Sequence, residues 1–261
     1  MRRARAAALT AILLSITISG QAAAVRTVHV FVALADNEHQ GIVPVAAKLG
    51  NGEDPQNNLY WGSAYGVRSF FAHSPDWQRV MCRPVPRAEI LERCVFRYRG
   101  EDVYLIADAY RGMEIKQLII DFLSAAAGDG SEMLRISDLG RDVKLPIQGG
   151  ANLVAYIGHD GLMDFQLSRF PLQKNDTHRD AIVLACASRQ FFAEPIRASG
   201  AFPLIWTTGL MAPEAYTLKS ALDGWIAGES REEIRDRAAS AYDKYQKCGA
   251  RAAHRLLTSG W

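Results

Sequence analysis

Leu153-Val154-Ala155-Tyr156-Ile157-Gly158-His159-Asp160-Gly161 and Ala181-Ile182-Val183-Leu184-Ala185-Cys186 decide the reading of this chain. Each is an apolar run that stops at one reactive side chain. Neither alternates with polar residues, so each reads as a strand buried on both faces of a parallel sheet. In open α/β sheets the functional crevice lies outside the carboxyl ends of the strands. The first run carries an imidazole to that edge and the second carries a thiol, the minimum equipment for a cysteine nucleophile.

Outward from these runs the pattern alternates strand and helix. Val28 to Ala35 is a strand, followed by the polar loop Asp36-Asn37-Glu38-His39 and a long irregular stretch to Tyr60. Tyr60 to Phe71 is expected to form the first helix. Val95–Arg99 and Val103–Ala107 flank Gly100-Glu101-Asp102 as a hairpin whose second arm joins the sheet. Met113 to Ala127 carries one apolar stripe at helical spacing, with the His-bearing strand expected next. A helix starting near Ala187-Ser188 is expected to break around Pro195. Phe202–Thr207 is a further strand, and Pro213–Ala227 and Ser230–Cys248 are helices, the last opened by a capping box, Ser230-x-x-Glu233. The fold class is α/β: a three-layer sandwich with a mostly parallel sheet flanked by helices.

Half of the 261 residues are apolar and the charges balance, as in a globular chain. Residues 1–24 have the form of a secretory signal: Arg2, Arg3 and Arg5, an apolar stretch, then small residues up to Ala24. An uncleaved anchor is the alternative for this segment. Residues 25–261 then form a single domain, exported to a periplasm or secreted. Removal of the three arginines changes 30 basic against 28 acidic residues to 27 against 28. A chain so close to neutral has no electrostatic reason to seek nucleic acid, and no later run is long enough to span a bilayer. Export permits disulfides. Cys82 and Cys94 flank a turn containing Pro84 and Pro86 and are the expected bridge, which leaves Cys186 either free or paired with Cys248. No phosphate-loop or dinucleotide fingerprint is present, no metal-ligand spacing accompanies Asp36, Glu38 and His39, and no cofactor is expected. Nothing in the pattern specifies an oligomeric state.

Cys186 stands where a buried strand turns into a helix, whose positive end favours a thiolate. The strand-end His159 and Ala185-Cys186, one strand apart, resemble the caspase–haemoglobinase group of cysteine peptidases, which includes caspases, legumains, gingipains and clostripain. The resemblance covers about Val28 to Thr208. It implies a caspase-like domain and a cysteine endopeptidase acting on peptide or protein substrates. His159 would be the general acid–base, and Cys186 would form an acyl-thioester. The group has Gly directly after the His, whose amide helps to hold the oxyanion. This chain has His159-Asp160-Gly161, so Asp160 and Gly161 are the oxyanion or orienting candidates. Asp36, Glu38, His39, Thr207 and Thr208 are candidate substrate-pocket walls, and an acidic wall would select Lys or Arg. The alternative function is a catalytically inactive caspase-like binding or assembly protein, which the inserted Asp160 favours.

Overall fold

The computed structural model describes residues 25–261; the expected leader at 1–24 lies outside the described residues. Eight strands form one sheet and two form a separate hairpin. In chain order the elements are β1 (Arg26–Ala33), α1 (Val67–His73), β2 (Trp77–Arg83), β3 (Ile90–Tyr98), β4 (Val103–Tyr110), α2 (Ile115–Ala126), β5 (Glu132–Asp138), β6 (Arg141–Ile147), β7 (Leu153–Ile157), β8 (Asp180–Leu184), α3 (Ser188–Ser199), β9 (Phe202–Thr207), α4 (Ala215–Ala227), α5 (Arg231–Gln246), α6 (Ala250–Leu256) and β10 (Leu257–Thr258). The sheet order is β10-β9-β8-β7-β1-β4-β3-β2. The central strands β9, β8, β7, β1 and β4 run parallel, while β3, β2 and β10 are antiparallel additions at the two edges.

Side chains alternate between the two faces of a strand. Val28, Val30, Val32, Leu153, Ala155, Ile157, Ile182 and Leu184 point to one face, where they pack with Phe71 of α1, Leu218 and Leu222 of α4, and Ile234 and Ala238 of α5. Phe31, Val154, Tyr156, Ala181 and Val183 point to the other and meet Leu118, Phe122, Phe192 and Ile196 of α2 and α3. The β5–β6 hairpin extends this second layer, placing Ile136, Leu145 and Ile147 over Val95, Tyr104 and Ile106. The chain is therefore a three-layer α/β sandwich with a mixed, mostly parallel sheet. Among the described residues no helix is long and apolar enough to cross a membrane.

Four local expectations are corrected. Helix α1 begins only at Val67, because Tyr60–Gly66 is a series of tight turns pinned by Asn58, whose side chain bonds Ala35, just beyond β1, through both its oxygen and its nitrogen. Strand β2 pairs with β3, where no strand was expected. The β5–β6 hairpin separates α2 from the His-bearing strand; its turn uses Leu139 and Gly140 at positive φ, the two-residue geometry that suits strand twist. Helix α3 runs unbroken through Pro195 and ends at the left-handed Gly200. Proline removes one helical hydrogen bond, but Phe192, Pro195 and Ile196 are all buried, and that packing carries the helix past it. The capping box at Ser230 and Glu233 is present.

Cys82 and Cys94 lie directly opposite each other on β2 and β3 and are bridged. Under the β5–β6 hairpin side of the sheet, Asp108 of β4 is fully buried. It accepts both Nε and an Nη of Arg93 at 2.6 Å, and Nε2–H of His29 at 3.0 Å. His29 Nδ1 accepts the Gln148 N–H, which fixes its tautomer. Burial alone raises the Asp108 carboxyl; the bonds from Arg93 and His29 overcome it and hold the group at about 2. Because the folded value lies below the ordinary 3.8, this interaction contributes fully above about pH 4 and is lost as pH falls through about 2. We predict that Asp108→Asn destabilises the fold by about 3–5 kcal/mol at pH 7, because it strands the buried Arg93 charge. The difference should shrink between pH 4 and pH 2 in acid-unfolding curves followed by circular dichroism.

Candidate functional site

Strands β7 and β8 pair in register from Leu153 opposite Asp180 to Ile157 opposite Leu184, and the Gly158 N–H continues the ladder to the Leu184 carbonyl at 3.3 Å. His159 and Cys186 each stand two residues beyond the last paired position. Adjacent strands lie about 4.8 Å apart. The register thus brings the chain at His159 and at Cys186 out of neighbouring strands at the same carboxyl edge of the sheet. Gly158 is required for this delivery. Its φ is +149°, and a Cβ there would sit 2.7 Å from the Ala33 Cβ of β1.

His159 is nearly buried. Its Nε2 bonds the Asp164 Oδ2 at 2.7 Å, and the same oxygen accepts the Gly41 N–H at 3.0 Å. An ionised carboxylate only accepts, so Nε2 carries the proton and Nδ1 is the basic nitrogen. A 3-10 turn over Gly161–Met163 bends the chain so that Asp164 returns to the ring. Cys186 is half-buried and carries a free thiol. The Met211 N–H is aimed at its sulfur at 3.4 Å, and the thiol reaches the Met211 carbonyl at 3.6 Å. Tyr60 and Tyr242 lie nearby: burial first, then Cys186 and Glu214, push the Tyr60 phenol above its ordinary range. Ala187, directly after the cysteine, is left-handed at φ 47° and ψ 32°. That conformation costs a side-chain-bearing residue about 1 kcal/mol. It is held by the Ala187 N–H bond to the Gly209 carbonyl and makes the strand-to-helix turn sharp. The backbone N–H groups of Cys186 and Asp160 donate to no acceptor among the described residues.

The inserted Asp160 does not orient His159; Asp164 does. Asp160 has the opposite parity and joins the α2 face with Tyr156. Its Oδ1 caps the 3-10 turn by accepting the Leu162 N–H at 3.1 Å, and its Oδ2 is buried without a partner. Gly161 packs against Phe165 and Ile115 on that same side. Asp36 is committed to its own loop, accepting the N–H groups of Glu38 and His39 and the His39 Nδ1. Glu38 and His39 are exposed around it. The Thr207 hydroxyl bonds Ala185 and Ser188 and braces the turn after β8, whereas that of the exposed Thr208 donates to the Arg255 carbonyl of α6 at 2.7 Å. Asp164 and Met211 are the participants that sequence reasoning missed. The five-residue spacing from His159 to Asp164, which one 3-10 turn can close, is the only local signal for the first. The one metal-ligand-like grouping among the described residues, Cys82, Glu92 and Cys94, has both sulfurs in the disulfide. Comparison of the chain with protein-family models, curated proteins and solved structures gives no match.

Burial first, then the nearby Asp164, raises the Asp160 carboxyl to about 7, against the Leu162 N–H. A raised acid is penalised in its charged form. Its drag on stability is absent below about pH 4, grows as pH rises and is complete above about pH 7. Asp160→Asn should therefore be more stable than wild type at pH 8, by up to about 4 kcal/mol, with the gap closing toward pH 4 in thermal melts.

Proposed function

We propose that this chain is an exported cysteine peptidase or related amide hydrolase, with Cys186 as nucleophile and His159 as general acid–base. The observation that carries the reading is the β7–β8 register, which brings the chain at His159 and Cys186 out of neighbouring strands at one edge of the sheet. Three further features support it. Asp164 holds Nε2–H and leaves Nδ1 as the proton carrier. The left-handed Ala187 turns the chain abruptly behind the sulfur. The Cys186 and Asp160 amides donate to no acceptor among the described residues and would receive a developing oxyanion.

In this mechanism Nδ1 of His159 takes the thiol proton and the sulfur attacks the scissile carbonyl. The two amides hold the oxyanion. His159 then returns the proton to the leaving amine, and a thioester remains on Cys186. Water, deprotonated by His159, attacks the thioester and restores the thiol. The two reactive strand ends carry the resemblance to caspase-like peptidases, and peptide or protein substrates rest on that resemblance.

A scaffold that binds without turnover is the second reading. Its favouring observation is the Cys186 sulfur engaged by both backbone groups of Met211, as an inert buried thiol would be. Separate replacements decide between the two. As a catalyst, Cys186→Ala and His159→Ala each lose at least about a thousandfold in turnover of a broad peptide library, and Asp164→Asn loses about a hundredfold. All three should melt within about 4 °C of wild type, less than roughly 1 kcal/mol. Absence of wild-type cleavage, or loss of stability without loss of turnover, overturns the proposal.

A further inference from the structure

The largest cavity among those described lies away from the sheet edge, between α1, α4 and α5, with a volume of about 1070 Å³. One wall is aromatic. Tyr216 is buried and stacks on Tyr245 with ring centroids 4.2 Å apart. Tyr65 stands edge-on to both, at 5.8 Å and 5.2 Å, and Phe70 also meets both edge-on. Tyr65 is 43% exposed, and Phe70 and Tyr245 are only partly covered. A cluster of this size left open is a feature of binding surfaces rather than of an ordinary exterior.

The opposite wall is charged. Asp76, Asp223, Glu229, Glu233 and Asp236 line the cavity against Lys219, Arg237 and Lys244, and Arg235, paired with Asp236 at 2.6 Å, leaves an excess of one negative charge. Two of those cations are already neutralised within the protein. Lys219 bridges Asp76 and Asp223, and Arg237 is clamped by Glu229. Aromatic faces also carry negative potential and attract cations. The chain itself shows this here, because the Lys244 ammonium lies 5.7 Å from the centre of the Tyr245 ring. Ring faces and net charge thus select the same ligand sign, and the open aromatic area selects an apolar neighbour.

We propose that this groove binds a cationic peptide segment, with a Lys or Arg seated among the carboxylates and an aromatic or aliphatic side chain on Tyr65, Phe70 and Tyr245. The volume exceeds that of most small-ligand pockets, which reach about 1,000 Å³, and accommodates several residues. The site does not depend on the chemistry of Cys186. It does adjoin the candidate dyad. Tyr216 bonds Glu214, Tyr242 accepts the Ala212 N–H, and the neighbouring Met211 N–H meets the Cys186 sulfur. A polypeptide held here would pass close to the loop behind the nucleophile.

Calorimetric titration of the folded chain with acetyl-Phe-Lys-Leu-Arg-amide and acetyl-Phe-Glu-Leu-Glu-amide tests the proposal. The cationic peptide is expected to bind at least about tenfold more tightly than the acidic one, and rising salt should weaken it. Tyr65→Ala, at an exposed position, and Asp236→Lys, at a half-buried one, should each weaken it about tenfold. The melting temperature shows that each variant is folded, and either one alone suffices. Cys186→Ala should bind unchanged, so a failed peptidase assignment would leave this result standing. Equal binding of the two peptides, no binding at millimolar peptide, or unchanged affinity in a folded variant overturns the proposal.

Discussion

The structure depends on one pairing: two short parallel strands, buried on both faces, locked in register from Leu153 opposite Asp180 to Ile157 opposite Leu184. A slip of one residue would turn every apolar side chain of one strand to the wrong face. Both faces are filled, by α4 and α5 on one side and α2 and α3 on the other, so no such slip is tolerated. The register that packing enforces also fixes where the chain emerges. Two residues later, the chain carries His159 and Cys186 out at the same carboxyl edge. That shared edge is a consequence of core packing.

What surrounds that edge is built by neighbours that have little else in common. Asp164 of the loop after β7 and Gly41 of the loop after β1 orient the imidazole, while the Met211 backbone beyond β9 contacts the sulfur, with Tyr60 and Tyr242 nearby. The candidate site therefore sits where loops following β1, β7, β8 and β9 converge. Strain is confined to single positions there, the left-handed Ala187 and the glycine-only conformation of Gly158. Asp160 illustrates how parity decides a role. It is adjacent to His159 in sequence, but it faces the other layer and caps a turn there.

The sequence made the main sheet legible because its central strands are unbroken apolar runs, a signal that a two-sided buried strand cannot avoid. Phe202–Thr207 and the hairpin arms were readable for the same reason, and the α5 cap for its Ser-x-x-Glu pattern. Other parts were hidden for identifiable reasons. β2 is half-exposed at the edge of the sheet, so Gln78, Arg79 and Arg83 dilute its pattern. β5 and β6 form a separate two-stranded layer with charged outer positions, and their alternation is weak. Pro195 is a helix breaker by local rules, but the burial of its neighbours overrides it. At the site, the two reactive residues were visible, since each ends an apolar run. Asp164 was not, because it reaches His159 through a 3-10 turn inside a polar loop. Asp36 and Thr207 looked available because nothing local reveals that their side chains are occupied by backbone groups.

The fold and the chemistry stand on different footings: the layers follow directly from packing, whereas catalysis is what the placement of two side chains supports. The most direct measurement of that central claim is mass-spectrometric mapping of the native chain after exposure to a peptidyl acyloxymethyl ketone, an acyl-mimicking thiol trap. The account predicts one adduct, on Cys186 and dependent on His159, while the more exposed Cys248 stays unmodified. Adducts on Cys248 alone, or a Cys186 that reacts only after denaturation, would contradict it.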